Sequence, residues 1–195
     1  MSDAARVGPG GLAALFAIGA AGGLVGDMCH VQSGTTVYLE DPLPYVWESQ
    51  LWFPIMVGGG TAALGWIGVM LGARASAQER AEPVRAAAAM IASVLALYAL
   101  TALVRGEPAS AGIVACWGVA ALICARFARG RADWICAALA MLAGVGAEIA
   151  LSAAGVFEYA DDIEQIFGVA AWLPALYLAY GVVASRLGAL LARPG

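Results

Sequence analysis

The chain has 195 residues, of which 62% are apolar and only 12% are charged, and its mean hydropathy is +0.82. A soluble domain carries about 25% charged and about 45–50% apolar residues, so this composition excludes a soluble globule and predicts an integral membrane protein. The net charge is −4, lysine is absent and the 10 arginines form no basic stripe, which excludes nucleic-acid binding as the main role. The absence of Lys and Asn beside abundant Ala, Gly and Arg indicates a GC-rich, bacterial genome.

Six apolar segments are long enough to cross a bilayer as helices, which takes roughly 20 residues each. In chain order they cover residues 10–28, 45–71, 84–104, 108–125, 134–154 and 167–191. The first apolar run exceeds the roughly 7–15 residues of a signal-peptide core, so we expect it to be a retained span. We find no internal repeat. The sequence predicts an all-α, polytopic membrane protein with one six-helix domain over residues 1–195.

Arginine placement predicts the orientation, because cytoplasmic flanks of membrane helices collect basic residues. With the N terminus in the cytoplasm, only Arg105 falls outside, whereas most acids, Asp27 and Asp162 among them, fall on the outer side. Nine arginines then lie on the cytoplasmic side, namely Arg6, Arg74, Arg80, Arg85, Arg126, Arg129, Arg131, Arg186 and Arg193. Both termini are therefore predicted to be cytoplasmic.

The two longer outer loops each lead into a span through a Trp-apolar-Pro sequence. Trp52 precedes Pro54, and Trp172 precedes Pro174, by two residues. One interpretation is an interfacial tryptophan belt followed by a proline that the first helical turn tolerates. The other is that these helices begin earlier and kink at proline, which would splay them from their neighbours and open a cavity.

Glu148 is the one acid that we place deep in a predicted span. A charged residue there costs about +2.5 to +3.5 kcal/mol, and the strongly apolar residues of the same segment contribute only roughly −2 to −4 kcal/mol. We therefore expect Glu148 to face the bundle interior and to be hydrogen-bonded. It either anchors the polar head of a ligand or lines a water-filled cleft; the alternative is that it hydrogen-bonds a neighbouring helix and fixes the packing. Without a second intramembrane acid, His or Arg, a proton relay is disfavoured.

Glycine and the reactive residue types carry weaker signals. Gly58, Gly59 and Gly60 leave a smooth stretch of the second span, where a neighbouring helix or a flat ligand can lie close. The four cysteines lack C-x-x-C spacing and His30 is the only histidine, so we expect no metal site, and we expect His30 to be an ordinary polar residue beside the membrane surface. No nucleophile or phosphate-binding motif is present, which argues against an enzyme and against a cofactor.

Five short sequences together resemble a known family. Residues 52–54 read W-F-P, 60–63 read G-T-A-A, 127–131 read F-A-R-G-R, 155–159 read G-V-F-E-Y and 172–174 read W-L-P. In order and placement they are similar to the W-W-V-P-P, G-T-A-A, F-D-R-S-R, G-V-Y-Q-Y and W-L-P of the Insig (insulin-induced gene) family. Span count and topology agree with that family as well.

The resemblance implies a non-enzymatic six-helix bundle that holds a sterol within the membrane. In eukaryotes the family retains Scap in the endoplasmic reticulum and promotes degradation of the sterol-synthesis reductase. Ala128 stands where the family has the acid needed for Scap, which argues against a Scap-like partner. Ala111, beside Ser110, stands where the family has a Gln near the sterol, which weakens the case for a sterol specifically.

We therefore expect a lipid-binding protein of a bacterial cytoplasmic membrane, which binds no cofactor but holds a neutral lipid of the diacylglycerol, sterol or isoprenoid type. The lipid would enter sideways between helices, and the glycine faces favour a homo-oligomer. The candidate ligand-binding residues are Trp52, Gly58, Gly59, Gly60, Glu148, Trp172, Tyr177 and Tyr180. A small transporter or flippase, which needs a polar path between leaflets, and a structural subunit of a larger membrane complex, which needs no cleft, are the alternatives.

Overall fold

A computed structural model describes residues 5–39, 44–105, 109–163 and 165–193. Within these residues six helices are long and apolar enough to cross a membrane, as the sequence predicts. A short helix, α3 (Ala77–Ala81), lies between the second and third of them. The six long helices are α1 (Pro9–Gln32), α2 (Trp52–Met70), α4 (Pro83–Leu103), α5 (Ala109–Phe127), α6 (Arg131–Ala153) and α7 (Leu173–Leu191).

Short strands join the helices at one end of the bundle. Three follow α1, namely β1 (Thr36–Tyr38), β2 (Tyr45–Val46) and β3 (Ser49–Gln50). Three follow α6, namely β4 (Phe157–Tyr159), β5 (Gln165–Ile166) and β6 (Val169–Ala170). β1 pairs with β4 in an antiparallel ribbon, while β2–β3 and β5–β6 are hairpins. We call this the ribbon end, and the opposite end, where nearly all described arginines lie, the arginine end.

The starts of α2 and α7 differ from the prediction. The segments before Trp52 and Leu173 are hairpins, so spans beginning at residues 45 and 167 are wrong by about two turns of helix. Pro54 and Pro174 lie in the first helical turn, where a missing N–H breaks no helical bond, so the hypothesis of an earlier, proline-kinked helix is also wrong. Hydropathy misses this boundary because the hairpins are themselves rich in apolar and aromatic residues. The predicted fourth span begins at residue 108, which lies outside the described residues.

The chain contains an internal repeat, which the sequence analysis missed. The unit α1–β1–β2–β3–α2 recurs roughly 120 residues later as α6–β4–β5–β6–α7. In each unit a glycine with positive φ ends the first helix, Gly34 at 66° and Gly155 at 73°. In each unit the hairpin turns at an aromatic residue with positive φ, Trp47 at 56° and Phe167 at 55°. These shared features identify the two units as copies of one structural motif.

The ribbon shows how the two repeats are related. Val37 pairs with Glu158 at its centre, and the flanking pairs are Thr36 with Tyr159 and Tyr38 with Phe157. Exchanging each residue for its counterpart in the other repeat reproduces the same pairs. An approximate two-fold axis therefore passes through the centre of the ribbon. The sequence hides this repeat because α1 is rich in glycine where α6 is rich in alanine, so little identity remains outside the turns.

α7 lies at the centre of the bundle and contacts α2, α4, α5 and α6. α4 and α5 connect the two repeats and have no counterparts in them. α4 packs against α1 and α7, on one side of the approximate axis only. The symmetry of the repeats is therefore broken on the side where α4 packs, and this determines where the bundle is open.

A buried ion pair closes the arginine end. The Arg186 side chain of α7 is 1% exposed; its Nη2 donates to Glu79 Oε2 of α3 at 2.6 Å and its Nη1 donates to the Arg74 carbonyl at 2.8 Å. Burial opposes ionisation of Glu79, yet the hydrogen bonds from Ser76 and the charge of Arg186 together hold the pKa of this carboxyl below its usual value. α3, which hydropathy cannot reveal, is thereby fixed to the bundle.

Candidate functional site

A cleft of about 470 Å³ lies between α2, α6 and α7, with Tyr98 of α4 on its wall. This volume falls in the range of about 300–1,000 Å³ that small-molecule sites occupy. The lining is almost entirely apolar, and α6 contributes only small residues at its centre. Those small residues are Ala140, Ala143, Gly144 and Ala147.

Glycine at two positions lets tyrosine rings lie against the walls of the cleft. A Cβ at Gly144 would overlap the ring of Tyr177. The ring Cζ would lie only 2.6 Å from that Cβ, and two other ring atoms would lie closer still. A side chain at Gly60 would come within 3.0 Å of the Tyr180 hydroxyl. The shape of the cleft therefore depends on the absence of a Cβ at these positions.

The polar ends of both tyrosines are satisfied within the protein. The Tyr177 hydroxyl donates to Glu148 Oε1 at 2.7 Å. The Tyr180 hydroxyl donates to the Val57 carbonyl at 3.0 Å and lies 2.9 Å from Thr61 Oγ1. The hydroxyls are thus held by α2 and α6, and the rings are left as the surface of the cleft.

A small polar pocket adjoins the cleft at the ribbon end. It shares Tyr98 and Leu176 with the cleft and has a volume of about 20 Å³, enough for one group of about the size of water. Glu148 lies on its wall and accepts from Tyr159 through Oε2 at 2.5 Å, in addition to its bond from Tyr177. We call this the axial pocket, because it contains equivalent residues from both repeats. The expectation that Glu148 faces the interior and is hydrogen-bonded is confirmed.

Asp27 is the counterpart of Glu148 in the first repeat, and the prediction of a single acid deep in the spans is wrong. Asp27 is 5% exposed and accepts from the Tyr38 hydroxyl through Oδ2 at 2.6 Å. Each acid precedes its tyrosine by 11 residues. Asp27 was missed because the predicted first span ends at residue 28, which places this acid at the edge of the span, whereas α1 continues to Gln32. The shared spacing is the signal that identifies it.

The two ribbon tyrosines are fixed as hydrogen-bond donors. Burial, and then the adjacent carboxyl group of Asp27, raise the pKa of Tyr38 well above its usual value. Burial and Glu148 act in the same way on Tyr159, raising its pKa well above 10. Both phenols therefore keep their protons at physiological pH, and each can donate to its carboxyl group.

His30 is buried, and the prediction of an ordinary surface histidine is wrong. Its exposed fraction is 5%, and its Nε2 lies 2.7 Å from Thr101 Oγ1. Its ring lies between those of Tyr98 and Trp172, with centroids 5.3 and 5.4 Å away. His30 thus joins α1, α4 and the start of α7 on the wall of the axial pocket.

The candidate residues from the sequence fall into three sets. Gly60, Tyr177 and Tyr180 line the cleft, and Trp52 and Glu148 line the axial pocket. The remaining three lie elsewhere: Gly58 faces Phe16 of α1, Gly59 has no neighbour near its Cβ position, and Trp172 is buried against His30 and Tyr159.

The repeat predicts a second groove between α1, α2 and α7, and this groove is present. Its residues Gly19, Gly22 and Gly23 of α1 are the counterparts of Ala140, Ala143 and Gly144. Four side chains of α4 line it, namely Ile91, Val94, Leu95 and Tyr98, and only about 50 Å³ remains. Among the described residues, no helix plays the same part in the cleft.

Comparisons with known proteins give two kinds of match, although no protein-family model matches the chain. An INSIG protein homolog of Mycolicibacterium vanbaalenii is 40% identical over 185 residues, which cover 90% of this chain and 84% of that protein. The crystal structure of MvINS, a mycobacterial Insig homolog from Mycobacterium vanbaalenii, matches with a TM-score of 0.88 and 38% identity. A cross-linked trimer of an MvINS variant matches with a TM-score of 0.88 and 36% identity. Both structural matches cover 95% of this chain and 96% of the other.

Proposed function

The chain belongs to the Insig family of membrane proteins, and from this premise we propose that it holds a neutral lipid in the cleft between α2, α6 and α7. The lipid is of the diacylglycerol or sterol type, and the protein acts as a sensor without catalysing a reaction. The membrane is the bacterial cytoplasmic membrane, with both termini on its cytoplasmic side. The arginine end then faces the cytoplasm, and the cleft opens sideways into the bilayer.

The difference between the two grooves is the observation that carries this proposal. α4 fills the groove of the first repeat, whereas the equivalent groove of the second repeat keeps about 470 Å³. An apolar cavity offers water no hydrogen-bond partners and remains dry. A bilayer supplies hydrocarbon chains that would restore the missing contacts of the lining atoms. A lipid in the cleft would thus take the place that α4 has in the other groove.

The polar groups of the site lie at one end, which suits a ligand with a small polar head. Tyr177 and Tyr180 form the aromatic walls, and Gly60 allows close approach. Glu148 is the polar anchor in the axial pocket, beside Trp52. This set is narrower than the candidates from the sequence, because Gly58, Gly59 and Trp172 lie outside both cavities.

We also propose that the chain assembles with copies of itself, since a related protein has been cross-linked as a trimer. No observation favours a transporter or flippase. Among the described residues, the buried acids lie near the two ends of the bundle, Asp27 and Glu148 at the ribbon end and Glu79 and Asp133 at the arginine end. The described residues that line the cleft between these ends are apolar residues and tyrosines, and none of them is charged.

Native mass spectrometry with lipid extraction, on protein purified in mild detergent, tests the lipid. We expect one neutral lipid per chain, whose mass identifies its class. Ala143→Trp should abolish retention by filling the cleft, whereas Ala138→Trp, at an exposed position of the same helix outside both cavities, should not. Bulk phospholipid alone, with no displacement by added diacylglycerol or sterol, would contradict lipid binding and leave the structural-subunit alternative.

Glu148 has its own test in the same assay. Glu148→Gln should leave the protein folded but lose the lipid. Glu148→Leu removes both acceptor oxygens and should also lose it. Full retention by folded Glu148→Leu would show that the anchor lies elsewhere.

A further inference from the structure

Thr36 of the ribbon lines the axial pocket, and its hydroxyl is buried without a partner. The residue is 7% exposed, and its Oγ1 has no hydrogen-bond partner among the described residues. A buried hydroxyl that loses its bonds to water and gains none in the protein is costly, and folded proteins rarely retain one. The neighbouring Thr35, by contrast, is 0% exposed and shares a hydrogen bond of 2.7 Å with Ser33.

The axial pocket also offers acceptors from both repeats. The carboxyl groups of Asp27 and Glu148 lie on its wall, each oriented by a ribbon tyrosine. No lysine or arginine is among the described residues that line it. A group that enters the pocket therefore meets one hydroxyl that needs a partner and two carboxyl groups that accept hydrogen bonds.

The chemistry of the ligand head follows from these partners. An alcohol can accept a hydrogen bond from Thr36 and donate one to a carboxyl group at the same time. An ester or ether oxygen cannot donate. A phosphate is anionic and would be repelled by the carboxyl groups of Asp27 and Glu148, and no lysine or arginine among the described lining residues offsets that repulsion. The pocket volume of about 20 Å³ admits a single small group and no larger head.

We infer that the ligand of the cleft carries one free hydroxyl and that this hydroxyl lies in the axial pocket, between Thr36 Oγ1 and the carboxyl groups of Asp27 and Glu148. The inference rests on the proposed function and specifies its ligand class. Tyr98 and Leu176 line both cavities, so a lipid whose chain lies in the cleft places its head beside the axial pocket. The site thus selects alcohols over their esters, their ethers and phospholipids.

The test compares two alcohols with capped forms of the same lipids on delipidated protein. The probes are 1,2-dioleoylglycerol against 1,2-dioleoyl-3-acetylglycerol, and cholesterol against cholesteryl methyl ether, with dioleoylphosphatidic acid as the anionic probe. Competition measured by native mass spectrometry should favour the binding alcohol over its capped form at least about fivefold, the worth of one hydrogen bond. Thr36→Val should lower the affinity for that alcohol about fivefold, and Thr35→Val should not change it.

The unfolding temperature of Thr36→Val is a second readout, which shows whether this variant folds. Without ligand, Thr36→Val should unfold at a higher temperature than the wild type, because it removes a buried hydroxyl that has no partner. Equal binding of alcohol and capped lipid, or equal effects of Thr36→Val and Thr35→Val, would overturn the hydroxyl assignment and leave lipid binding intact. Failure of both alcohols and both capped lipids to bind would overturn the proposed function itself.

Discussion

Gly144→Ala offers a sharp test of how the cleft is built. The added methyl group would overlap the ring of Tyr177, which is 7% exposed and hydrogen-bonded to Glu148. The ring must move, and its hydroxyl then leaves the carboxyl group at the edge of the axial pocket. One methyl group on α6 should therefore disturb the cleft and the pocket together.

The magnitude follows from three effects. Overpacking costs about 1–3 kcal/mol, and a buried hydrogen bond lost at a carboxyl group costs about 1–3 kcal/mol. Replacing glycine by alanine in a helix returns about 1 kcal/mol. Gly144→Ala should therefore lower the free energy of unfolding by about 3 kcal/mol. The control is Gly146→Ala, which has no neighbour within 4 Å and should raise it by up to about 1 kcal/mol.

Titration with SDS in mixed micelles, followed by tryptophan fluorescence, measures these differences. In a Tyr177→Phe background no hydroxyl remains to be displaced, so Gly144→Ala should cost about 2 kcal/mol less than in the wild type. Equal stability of Gly144→Ala and Gly146→Ala would refute the packing described for the cleft. An unchanged cost in the Tyr177→Phe background would refute the coupling to Glu148.

Three further predictions concern the rest of the bundle. Arg186→Met should cost about 3–5 kcal/mol in the same titration, because it leaves the buried Glu79 carboxylate unpaired; a loss below about 1 kcal/mol would contradict a buried pair. Folding lowers the pKa of Glu79, so the ionised carboxylate should contribute its full stabilisation above pH 4.5 and lose it as the pH falls through the folded pKa. The unfolding temperatures of the wild type and Glu79→Gln should therefore converge in acid, and a constant difference between them would contradict this role of Glu79. Gly188→Ala should lower the free energy of unfolding by about 3 kcal/mol, because a Cβ there overlaps the Gly65 backbone, which cannot move aside as a side chain can. Gly59→Ala adds its Cβ to open space and should not lower it, so equal thermal stability of the two variants would rule out this contact between α2 and α7.

The sequence predicts the six spans because each is a long apolar run, and hydropathy measures that property directly. It also predicts that Glu148 faces inward, because the cost of a charge in lipid nearly equals the apolar gain of its segment. Asp27 escapes the same reasoning because the apolar run that predicts the first span stops at residue 28, which places this acid at the edge of the span although α1 continues to Gln32. Its burial comes from the ribbon above it, whose Tyr38 covers the carboxyl group. That contact joins β1 to α1 and depends on the tertiary fold.

The cleft could be predicted only in part. Aromatic residues on α7 and glycine on α2 indicate a site, and Gly60, Tyr177 and Tyr180 do line the cleft. Gly58 and Gly59 differ from Gly60 only by a rotation of about 100° per residue around the helix, and the sequence does not say which side faces α6. Thr36 gives no signal at all, since an unpaired hydroxyl is a property of the surroundings and not of the residue.

The repeat has a consequence for how such a molecule could be divided. Each repeat holds two spans, so both copies start and finish at the same face of the membrane and have the same orientation in it. A chain of one repeat alone could dimerise about the axis in the ribbon, and its two grooves would then be identical. α4 converts this arrangement into an unequal pair, in which a helix of the protein fills one groove and the other groove stays open. A single inserted helical hairpin thus leaves a duplicated scaffold with one open groove per chain.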